Sequence, residues 1–393
     1  MNQTALVDMN DWAAYAGEER IIEIRAEARS LWVRWSDGHE GRFPWIWLRD
    51  HCACPSCRHP ATRERLFELH DLPLPLPAPR AELEENGVLQ LLWTDLGPTE
   101  HHTRFDPAWL RRRVYEPVGA GHKSRAGWDA ARGASILPRF DFSQVQEDPA
   151  AQSGWIEGLL DKGMALLSGG PARPGELERF AEQVGPIYET HFGRIFDVQS
   201  KPNPNNAAYT SLGLEPHVDL PNHPNPPDIQ LLYCIANEAE GGDSTLVDGL
   251  WIAEQLREKA PKDFHILTTR PIDFRFQDAE VDIRFKTPVI ELSPEGTFNG
   301  MRFNNWIRDS LILPPEEVEA FYRAYQRLWK ELRDPGNCLQ LRLNAGDLLA
   351  FDNRRVLHGR TAFTATGARH LQGCYLQRSM LESRLRVLDR VSA

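Results

Sequence analysis

Short apolar runs separated by polar turns dominate the second half of the chain. Runs of this length, bounded by Gly, Asn and Asp, are typical of β-strands, and many of them in one region favour a sandwich or jelly roll. The runs are 229–234 (IQLLYC), 244–247 (STLV), 339–343 (LQLRL) and 348–351 (LLAF). Amphipathic helices are predicted at 151–167, 174–184 and 315–332. We therefore expect a mainly β fold with flanking helices.

The 393 residues are long enough for two domains. Residues 1–118 contain short alternating stretches such as 30–35 (SLWVRW), which predict a small β-rich domain. Residues 119–134 are rich in Gly, Ala, Arg and Ser without apolar periodicity, which predicts a linker. Residues 135–393 hold the strand-like runs and the predicted helices, and form the second domain of this prediction.

The charge balance limits the partners that the chain can have. Its formal net charge is −11, which disfavours nucleic acid and is compatible with a small cationic substrate. No apolar run approaches the ~18–20 residues that span a bilayer, so no membrane partner is expected. Residues 1–20 lack the basic and apolar regions of a secretion signal. We therefore expect a cytoplasmic protein.

A histidine and an aspartate stand two residues apart in the segment 214–219 (LEPHVD), as His217 and Asp219. Side chains two apart on a strand share a face, so both can reach one metal ion. A second histidine, His358, follows the run 348–351 and a polar turn. Two histidines and a carboxylate leave three positions of an octahedral iron open. We hypothesise an Fe(II) site whose open positions take 2-oxoglutarate and dioxygen.

Arg369 gives this hypothesis its main support, because His-x-Asp pairs are frequent by chance. It lies eleven residues after His358, on the next predicted strand. The guanidinium presents a planar fork of donors that can hold the distal carboxylate of 2-oxoglutarate, although a surface salt bridge is the alternative. Ser244 is a candidate for a hydroxyl that assists Arg369.

Three cysteines crowd into one short segment, as Cys52, Cys54 and Cys57. Soft thiolates favour zinc, and a closed structural site needs four ligands. The fourth ligand must therefore come from elsewhere in the chain. The remaining cysteines lie singly, so no disulfide framework is predicted.

Several ordered motifs resemble the γ-butyrobetaine hydroxylase family, which includes trimethyllysine hydroxylase and lies within the taurine-dioxygenase-like oxygenases. They are AYTSLGLEPHVDLP, QLLYC, GGDSTLVDG, FNNWIRD, FDNRRVLHGR, RHLQGCY and SRLRVL. The resemblance implies a double-stranded β-helix (jelly-roll) catalytic core with a small zinc-binding, β-rich N-terminal domain. It also implies iron ligation by His217, Asp219 and His358, 2-oxoglutarate on Arg369, and a homodimer.

The resemblance also supplies the fourth zinc ligand, a histidine that precedes an aromatic residue. In the segment 99–105 (TEHHTRF), alignment on Phe105 favours His101 over His102. With Cys52, Cys54, Cys57 and His101 the site is closed, so its expected role is structural.

Family members hold a trimethylammonium group among aromatic rings by cation–π attraction. The motifs map Phe192, Phe196, Tyr209 and Tyr375 onto this cage, whereas Leu220 stands where animal enzymes have an aromatic residue. Asn206 and Asn304 map onto the amides that hold the substrate's carboxylate. Arg302 and Arg308 could add charge for a phosphonate if they face the pocket, and the sequence leaves their direction open.

The expected function is hydroxylation of a small trimethylammonium substrate with an anionic tail, with γ-butyrobetaine, converted to carnitine, as the leading substrate. A carboxylate at Asp219 favours hydroxylation over halogenation. The alternatives are 2-(trimethylammonio)ethylphosphonate or trimethyllysine as substrate, and, more distantly, a non-catalytic betaine-binding jelly roll. A zinc hydrolase at His217 and His358 ranks lower because no further general base is evident.

Overall fold

The computed structural model of the chain describes residues 6–9, 19–94, 100–115, 125–199, 210–364 and 367–392. The chain forms two compact units, the first made of residues 1–123 and 390–393 and the second of residues 124–389. Among the described residues, no helix is long and apolar enough to cross a membrane.

The first unit contains two three-stranded antiparallel sheets. One has the order β1 (Ile21–Ala26), β2 (Ser30–Trp35), β3 (Glu40–Pro44), and the other has the order β4 (Arg80–Leu83), β5 (Leu89–Trp93), β6 (His101–Phe105). Helices α1 (Trp45–Asp50) and α2 (Pro107–Arg111) and a short 3-10 helix (Leu69–Asp71) accompany them. Large aromatic side chains, Trp35, Trp45 and Trp93, fill the core of this unit.

Strand β5 shows why these residues form strands. Leu89, Leu91 and Trp93 are buried, whereas Gln90 and Leu92 are half-buried. Because side chains of a strand alternate with a period of two residues, every second side chain points into one core. The stretch 88–93 (VLQLLW) thus contains a strand, Leu89–Trp93, with one face on the core of the unit.

The second unit is built on two larger sheets. A six-stranded sheet has the order β7 (Arg139–Asp141), β8 (Met164–Ser168), β18 (Leu348–Asp352), β11 (Ile229–Asn237), β20 (Arg369–Leu376), β9 (Phe196–Val198). A four-stranded sheet has the order β10 (Leu214–His217), β19 (Val356–Arg360), β12 (Ser244–Asp248), β17 (Cys338–Leu341). The hairpins are β13 (Ile272–Gln277) with β14 (Asp282–Thr287), and β15 (Ile290–Leu292) with β16 (Phe298–Met301).

Eight helices of the described residues flank these sheets: α3 (Ala130–Ile136), α4 (Phe142–Glu147), α5 (Pro149–Lys162), α6 (Glu176–Val184), α7 (Gly249–Lys259), α8 (Pro261–Thr269), α9 (Pro315–Arg333) and α10 (Arg378–Ser392). The Asp148 carboxylate caps α5 by accepting from the Ala150 N–H at 3.0 Å, and Gly163 ends it with a φ of 78°. The mainly β fold with flanking helices is thus confirmed.

The described part of the predicted linker differs from that expectation. Residues 125–134 belong to the second unit, and Trp128 within them is fully buried. Its backbone N–H donates to Asp248 Oδ2 at 3.0 Å, and its indole donates to the Lys162 carbonyl at 2.9 Å. One buried aromatic residue anchors the segment, and a single residue gives no periodicity by which the sequence could reveal it.

Candidate active site

A cavity of about 370 Å³ lies in the second unit, lined from both large sheets and from the β13 hairpin. Nine of the residues singled out in the sequence line it: Phe192, Phe196, His217, Asp219, Ser244, Asn304, His358, Arg369 and Tyr375. Asn206 and Tyr209 lie outside the described residues. Residues from distant parts of the chain thus meet in one space.

The two histidines face each other across neighbouring strands. His217 at the end of β10 is paired in register with His358 on β19, and their ring centroids are 4.4 Å apart. His217 Nδ1 donates to the Glu215 carbonyl at 2.9 Å, which leaves Nε2 as the acceptor atom for a metal. Burial, followed by the nearby His217, lowers the pKa of His358 to about 3, so this ring is neutral, as a metal ligand must be.

Asp219 completes the cluster through one of its two carboxylate oxygens. Oδ1 lies 3.4 Å from His217 Nε2 and 3.7 Å from His358 Nε2. Burial acts to raise the pKa of Asp219, but the adjacent His358 and His217 and the Tyr375 hydroxyl lower it further than burial raises it. The carboxylate is therefore ionised at neutral pH. Two imidazoles and one carboxylate within 4.8 Å of one another fit a divalent iron ion with open positions.

The backbone of Asp219 is held by Asn353, a residue that the sequence did not single out. The fully buried Asn353 amide accepts from the Asp219 N–H at 2.7 Å and donates to the Asp219 carbonyl at 3.0 Å. The next residue, Leu220, has a φ of 56°, which a residue with a Cβ adopts only under constraint from its surroundings. Asn353 provides part of that constraint. The FDNRR motif contains it, but no periodicity signals its role.

Arg369 presents unused donors to the cavity. Its Nη2 donates to the Gly242 carbonyl at 3.1 Å, whereas the buried Nε and Nη1 have no hydrogen-bond partner among the described residues. A Cβ on Gly242 would stand 2.7 Å from Nε, so this glycine makes room for the guanidinium. Buried donors without acceptors are costly, and a carboxylate would satisfy them. Ser244 is buried and lines the same cavity.

Apolar rings form part of the cavity wall. Phe192 and Phe196 line the cavity as expected, and Phe276 on β13 joins them, with its ring 5.7 Å from that of Phe192. Trp306 lies edge-on to His217 at 5.0 Å. The sequence did not indicate Phe276 or Trp306, because their positions depend on how the β13 hairpin and the segment after β16 fold back.

One expected polar contact takes a different form, and the two arginines whose direction the sequence left open are engaged elsewhere. The Asn304 amide donates to the Val218 carbonyl at 3.3 Å and accepts from the Trp306 N–H at 3.1 Å, so it is engaged with the backbone. Arg302 donates to Glu291 and to the carbonyls of 221, 223 and 224. Arg308 lies over Tyr322 and Tyr325. Neither arginine lines the cavity, which answers the question that the sequence left open.

The cysteine cluster lies in the first unit. His101 Nε2 stands 3.3, 3.8 and 3.6 Å from the sulfurs of Cys52, Cys54 and Cys57, whereas His102 is exposed. Arg49 donates to the Cys57 sulfur at 3.2 Å. Hydrogen bonding from Cys52, together with His101 and Arg49, lowers the pKa of Cys57 against the effect of burial. Three sulfurs and one imidazole nitrogen fit a tetrahedral zinc ion.

Known families match both units of the chain. Residues 123–375 match the family described as "Taurine catabolism dioxygenase TauD, TfdA family". Residues 22–111 match "Gamma-butyrobetaine hydroxylase-like, N-terminal".

Individual relatives extend this similarity over most of the chain. The γ-butyrobetaine dioxygenase of Pseudomonas sp. (strain AK-1) is 38% identical over 367 residues, covering 92% of this chain and 94% of that protein. The human γ-butyrobetaine dioxygenase is 31% identical over 379 residues, covering 92% and 95%. Bovine mitochondrial trimethyllysine dioxygenase is 32% identical over 359 residues, covering 88% and 83%.

The fold, the His-Asp-His cluster and these matches define an enzyme, a dioxygenase of the TauD and TfdA class. Within that class, the chain belongs to the γ-butyrobetaine dioxygenase family. The family resemblance expected from the sequence is thereby confirmed.

Proposed function

We propose that the protein is an Fe(II)- and 2-oxoglutarate-dependent hydroxylase that converts γ-butyrobetaine to carnitine. The observation that carries the proposal is one cavity in which the His217, Asp219 and His358 cluster, Arg369 and a wall of apolar rings face the same space. The relatives named for γ-butyrobetaine and trimethyllysine support a trimethylammonium substrate.

Each side chain has its own task in this reaction. His217, Asp219 and His358 hold the iron, and Arg369 holds the distal carboxylate of 2-oxoglutarate, with Ser244 beside it. Iron bound there supplies the oxidation of one substrate C–H bond by dioxygen, with 2-oxoglutarate converted to succinate and carbon dioxide. The cavity walls orient one methylene of the substrate toward the metal and exclude water from it.

The aromatic wall suits the cationic end of the substrate. A trimethylammonium group cannot donate an ordinary hydrogen bond, and ring faces attract it electrostatically. We propose that Phe192, Phe196, Tyr375 and Tyr209 form the cage. Phe276 replaces the ring that is missing at Leu220, because it lines the same cavity and packs against Phe192.

The tail of the substrate is a carboxylate rather than a phosphonate in this proposal. A phosphonate carries more charge and calls for a guanidinium, but the donors of Arg302 are already bonded to Glu291 and to backbone carbonyls. Asn206 and Asn304 bind the tail. To do so, Asn304 exchanges one of its two backbone hydrogen bonds for the substrate.

Trimethyllysine is a weaker candidate because its α-ammonium group needs a carboxylate partner. Asp197 and Asp219 are the acidic residues that line the cavity within the described chain. Asp219 belongs to the metal cluster. Asp197 already accepts from His370 at 2.7 Å and from Gln372 at 3.0 Å.

The decisive experiment is a substrate panel. Succinate formation is measured under Fe(II), 2-oxoglutarate and oxygen with γ-butyrobetaine, trimethyllysine and 2-(trimethylammonio)ethylphosphonate. A control with an uncharged head group, 5,5-dimethylhexanoate, has carbon in place of the ammonium nitrogen. We expect γ-butyrobetaine to give the highest kcat/KM and the control to give little turnover. If no betaine stimulates succinate formation but betaines still bind, the non-catalytic alternative is favoured.

A metal analysis separates the two metal sites. Asp219→Ala removes the carboxylate of the cluster, so we expect iron content to fall to background while zinc stays near one per chain. Loss of both metals together would show that the division into an iron site and a zinc site is wrong.

The wider organisation of the molecule is part of the same proposal. The six- and four-stranded sheets form the two halves of a double-stranded β-helix, and Cys52, Cys54, Cys57 and His101 hold a structural zinc in a separate N-terminal domain. The protein acts as a homodimer, as the family resemblance suggests, and works in the cytoplasm. Light scattering of the purified protein measures the oligomeric state directly.

A further inference from the structure

Tyr375 contacts the metal cluster as well as the aromatic wall. It lies on β20, opposite Gln230 of β11, and it is almost fully buried. Its hydroxyl donates to Asp219 Oδ2 at 2.6 Å. The other carboxylate oxygen, Oδ1, is the one that faces the Nε2 atoms of His217 and His358. The two oxygens of Asp219 therefore have different partners.

The distinction matters because the reaction needs three open metal positions. Two histidine nitrogens and one carboxylate oxygen leave three of six positions open. A carboxylate that binds through both oxygens would take one of these, and 2-oxoglutarate and dioxygen would then compete for the remaining two. A charge-assisted O–H···O hydrogen bond of this length is strong enough to oppose that rotation.

The rest of Asp219 is already fixed. Asn353 binds both its N–H and its carbonyl, and the same Asn353 amide also donates to the Pro227 carbonyl at 3.0 Å. With the backbone held on both sides, the remaining freedom is rotation of the carboxylate about its side-chain bonds. The Tyr375 hydroxyl restricts that rotation.

The Tyr375 ring also packs against Phe196 of the cavity wall, with ring centroids 5.1 Å apart. Within the function proposed above, on which this inference rests, Phe196 contacts the cationic end of the substrate. We infer that Tyr375 is a positioning residue that reserves Oδ2 of Asp219, so that Asp219 binds iron through one oxygen. Through Phe196 it connects substrate binding to iron coordination.

Tyr375→Phe tests this inference because it removes one oxygen atom and keeps the ring. The matched control is Tyr233→Phe on β11, whose hydroxyl donates to the Pro171 carbonyl at 2.7 Å, with no part in the cavity lining. Binding of 2-oxoglutarate to the Fe(II) protein is measured without oxygen, from the visible charge-transfer absorption of the chelate. Zinc content and thermal unfolding check that each variant is folded.

We expect Tyr375→Phe to weaken 2-oxoglutarate binding about tenfold, the size of effect that one charge-assisted hydrogen bond produces. The dissociation constant of γ-butyrobetaine changes less, because the ring face remains. Succinate formation also rises relative to hydroxylated product. The Tyr233→Phe protein behaves as the wild type in all three measurements.

The inference would be overturned if a folded Tyr375→Phe protein kept the wild-type chelate absorption, 2-oxoglutarate affinity and product ratio. The proposed function would then still stand. Weaker substrate binding with normal chelation would make Tyr375 a wall residue only, and would also overturn it. A wild-type protein that forms no chelate and turns over no betaine would overturn the proposed function and the inference together.

Discussion

Phe196 lies against Gly373 across the pairing of β9 with β20, so closely that a Cβ at position 373 would stand 2.3 Å from Phe196 Cε2. The absence of a side chain at Gly373 therefore fixes how far the Phe196 ring withdraws from the cavity. The same ring also packs against Tyr375. A glycine in the backbone of a strand thus determines the position of one wall of the substrate site.

Gly373→Ala is expected to raise the KM for the trimethylammonium substrate about tenfold, because Phe196 must move toward Tyr375 or into the cavity. The KM for 2-oxoglutarate changes less. Steady-state kinetics with each compound varied in turn measures both. Gly154→Ala, whose new Cβ would meet only Phe140 at 3.6 Å, is the matched control. A Gly373→Ala enzyme with wild-type KM would show that Phe196 does not touch the substrate.

Arg369→Met is expected to raise the KM for 2-oxoglutarate by about 30-fold or more, because the buried bidentate contact is lost. Arg369→Lys should recover only part of the loss, since an ammonium group cannot form the two parallel hydrogen bonds of the fork. Titration of 2-oxoglutarate at saturating substrate measures the effect. Equal KM values for the Met and wild-type enzymes would contradict the assignment.

The stacked rings of His191 and His223 predict a pH dependence of substrate binding. His191 packs against Phe192 and Phe276, so both rings lie beside the cage. Burial lowers the pKa of His191, although the negative charge of Asp278 acts to raise it. Burial also lowers the pKa of His223, and the nearby His191 and Arg302 lower it further. Both rings are therefore neutral at pH 7, and gain charge below the ordinary pKa of about 6.5.

The KM for a cationic substrate should be constant above pH 6.5 and rise about two- to fivefold toward pH 5, as positive charge appears beside the cage. His191→Asn with His223→Asn should flatten this rise. The two histidines also make the free energy of unfolding depend on pH, and acid is again unfavourable. The folded state binds fewer protons than the unfolded state below about pH 6.5, so the contribution is full above that pH and falls as pH decreases. A pH profile that the double variant leaves unchanged would contradict this reading.

Cys57→Ser is expected to remove zinc and to lower the melting temperature of the N-terminal unit by more than about 10 °C, because a structural zinc site contributes directly to folding. Iron content of the second unit should stay unchanged. Cys338→Ser in β17 changes a cysteine far from the cluster in sequence and is the control. Retention of stoichiometric zinc by Cys57→Ser would exclude Cys57 as a ligand.

Local patterns indicated both metal clusters but completed neither, since the iron hypothesis drew its main support from Arg369 and the cysteines lacked a fourth zinc ligand. The spacing of His217 and Asp219 predicted that both side chains reach one ion, although Asp219 lies just beyond the end of β10, and the cysteines cluster within six residues. His101 required the family resemblance, since it lies on β6, far from the cysteines in sequence. The residues that the sequence did not indicate act through long-range contacts. Asn353, in the turn between β18 and β19, binds the backbone of Asp219. Phe276 reaches the cavity from the β13 hairpin.

Among the helices, too, the sequence predicted those with a clear local pattern and missed one without it. Helix α9, Pro315–Arg333, agrees with its predicted bounds within one residue, because its apolar side chains recur at helical spacing. Helix α3 at Ala130–Ile136 was not predicted, because seven residues rich in Ala and Gly carry no apolar stripe. Its N-terminus is capped by Asp129, a signal that is too common in loops to identify a helix by itself.

The in-register pairing of His217 with His358 makes iron affinity a reporter of correct strand assembly. A slip of β10 by one residue would turn His217 to the opposite face of the sheet, and the resulting protein could still be compact and retain its zinc. Misassembled molecules would therefore escape detection by size or by zinc content. Refolded or newly made protein can be sorted into native and slipped populations by whether it captures Fe(II), before any substrate is added.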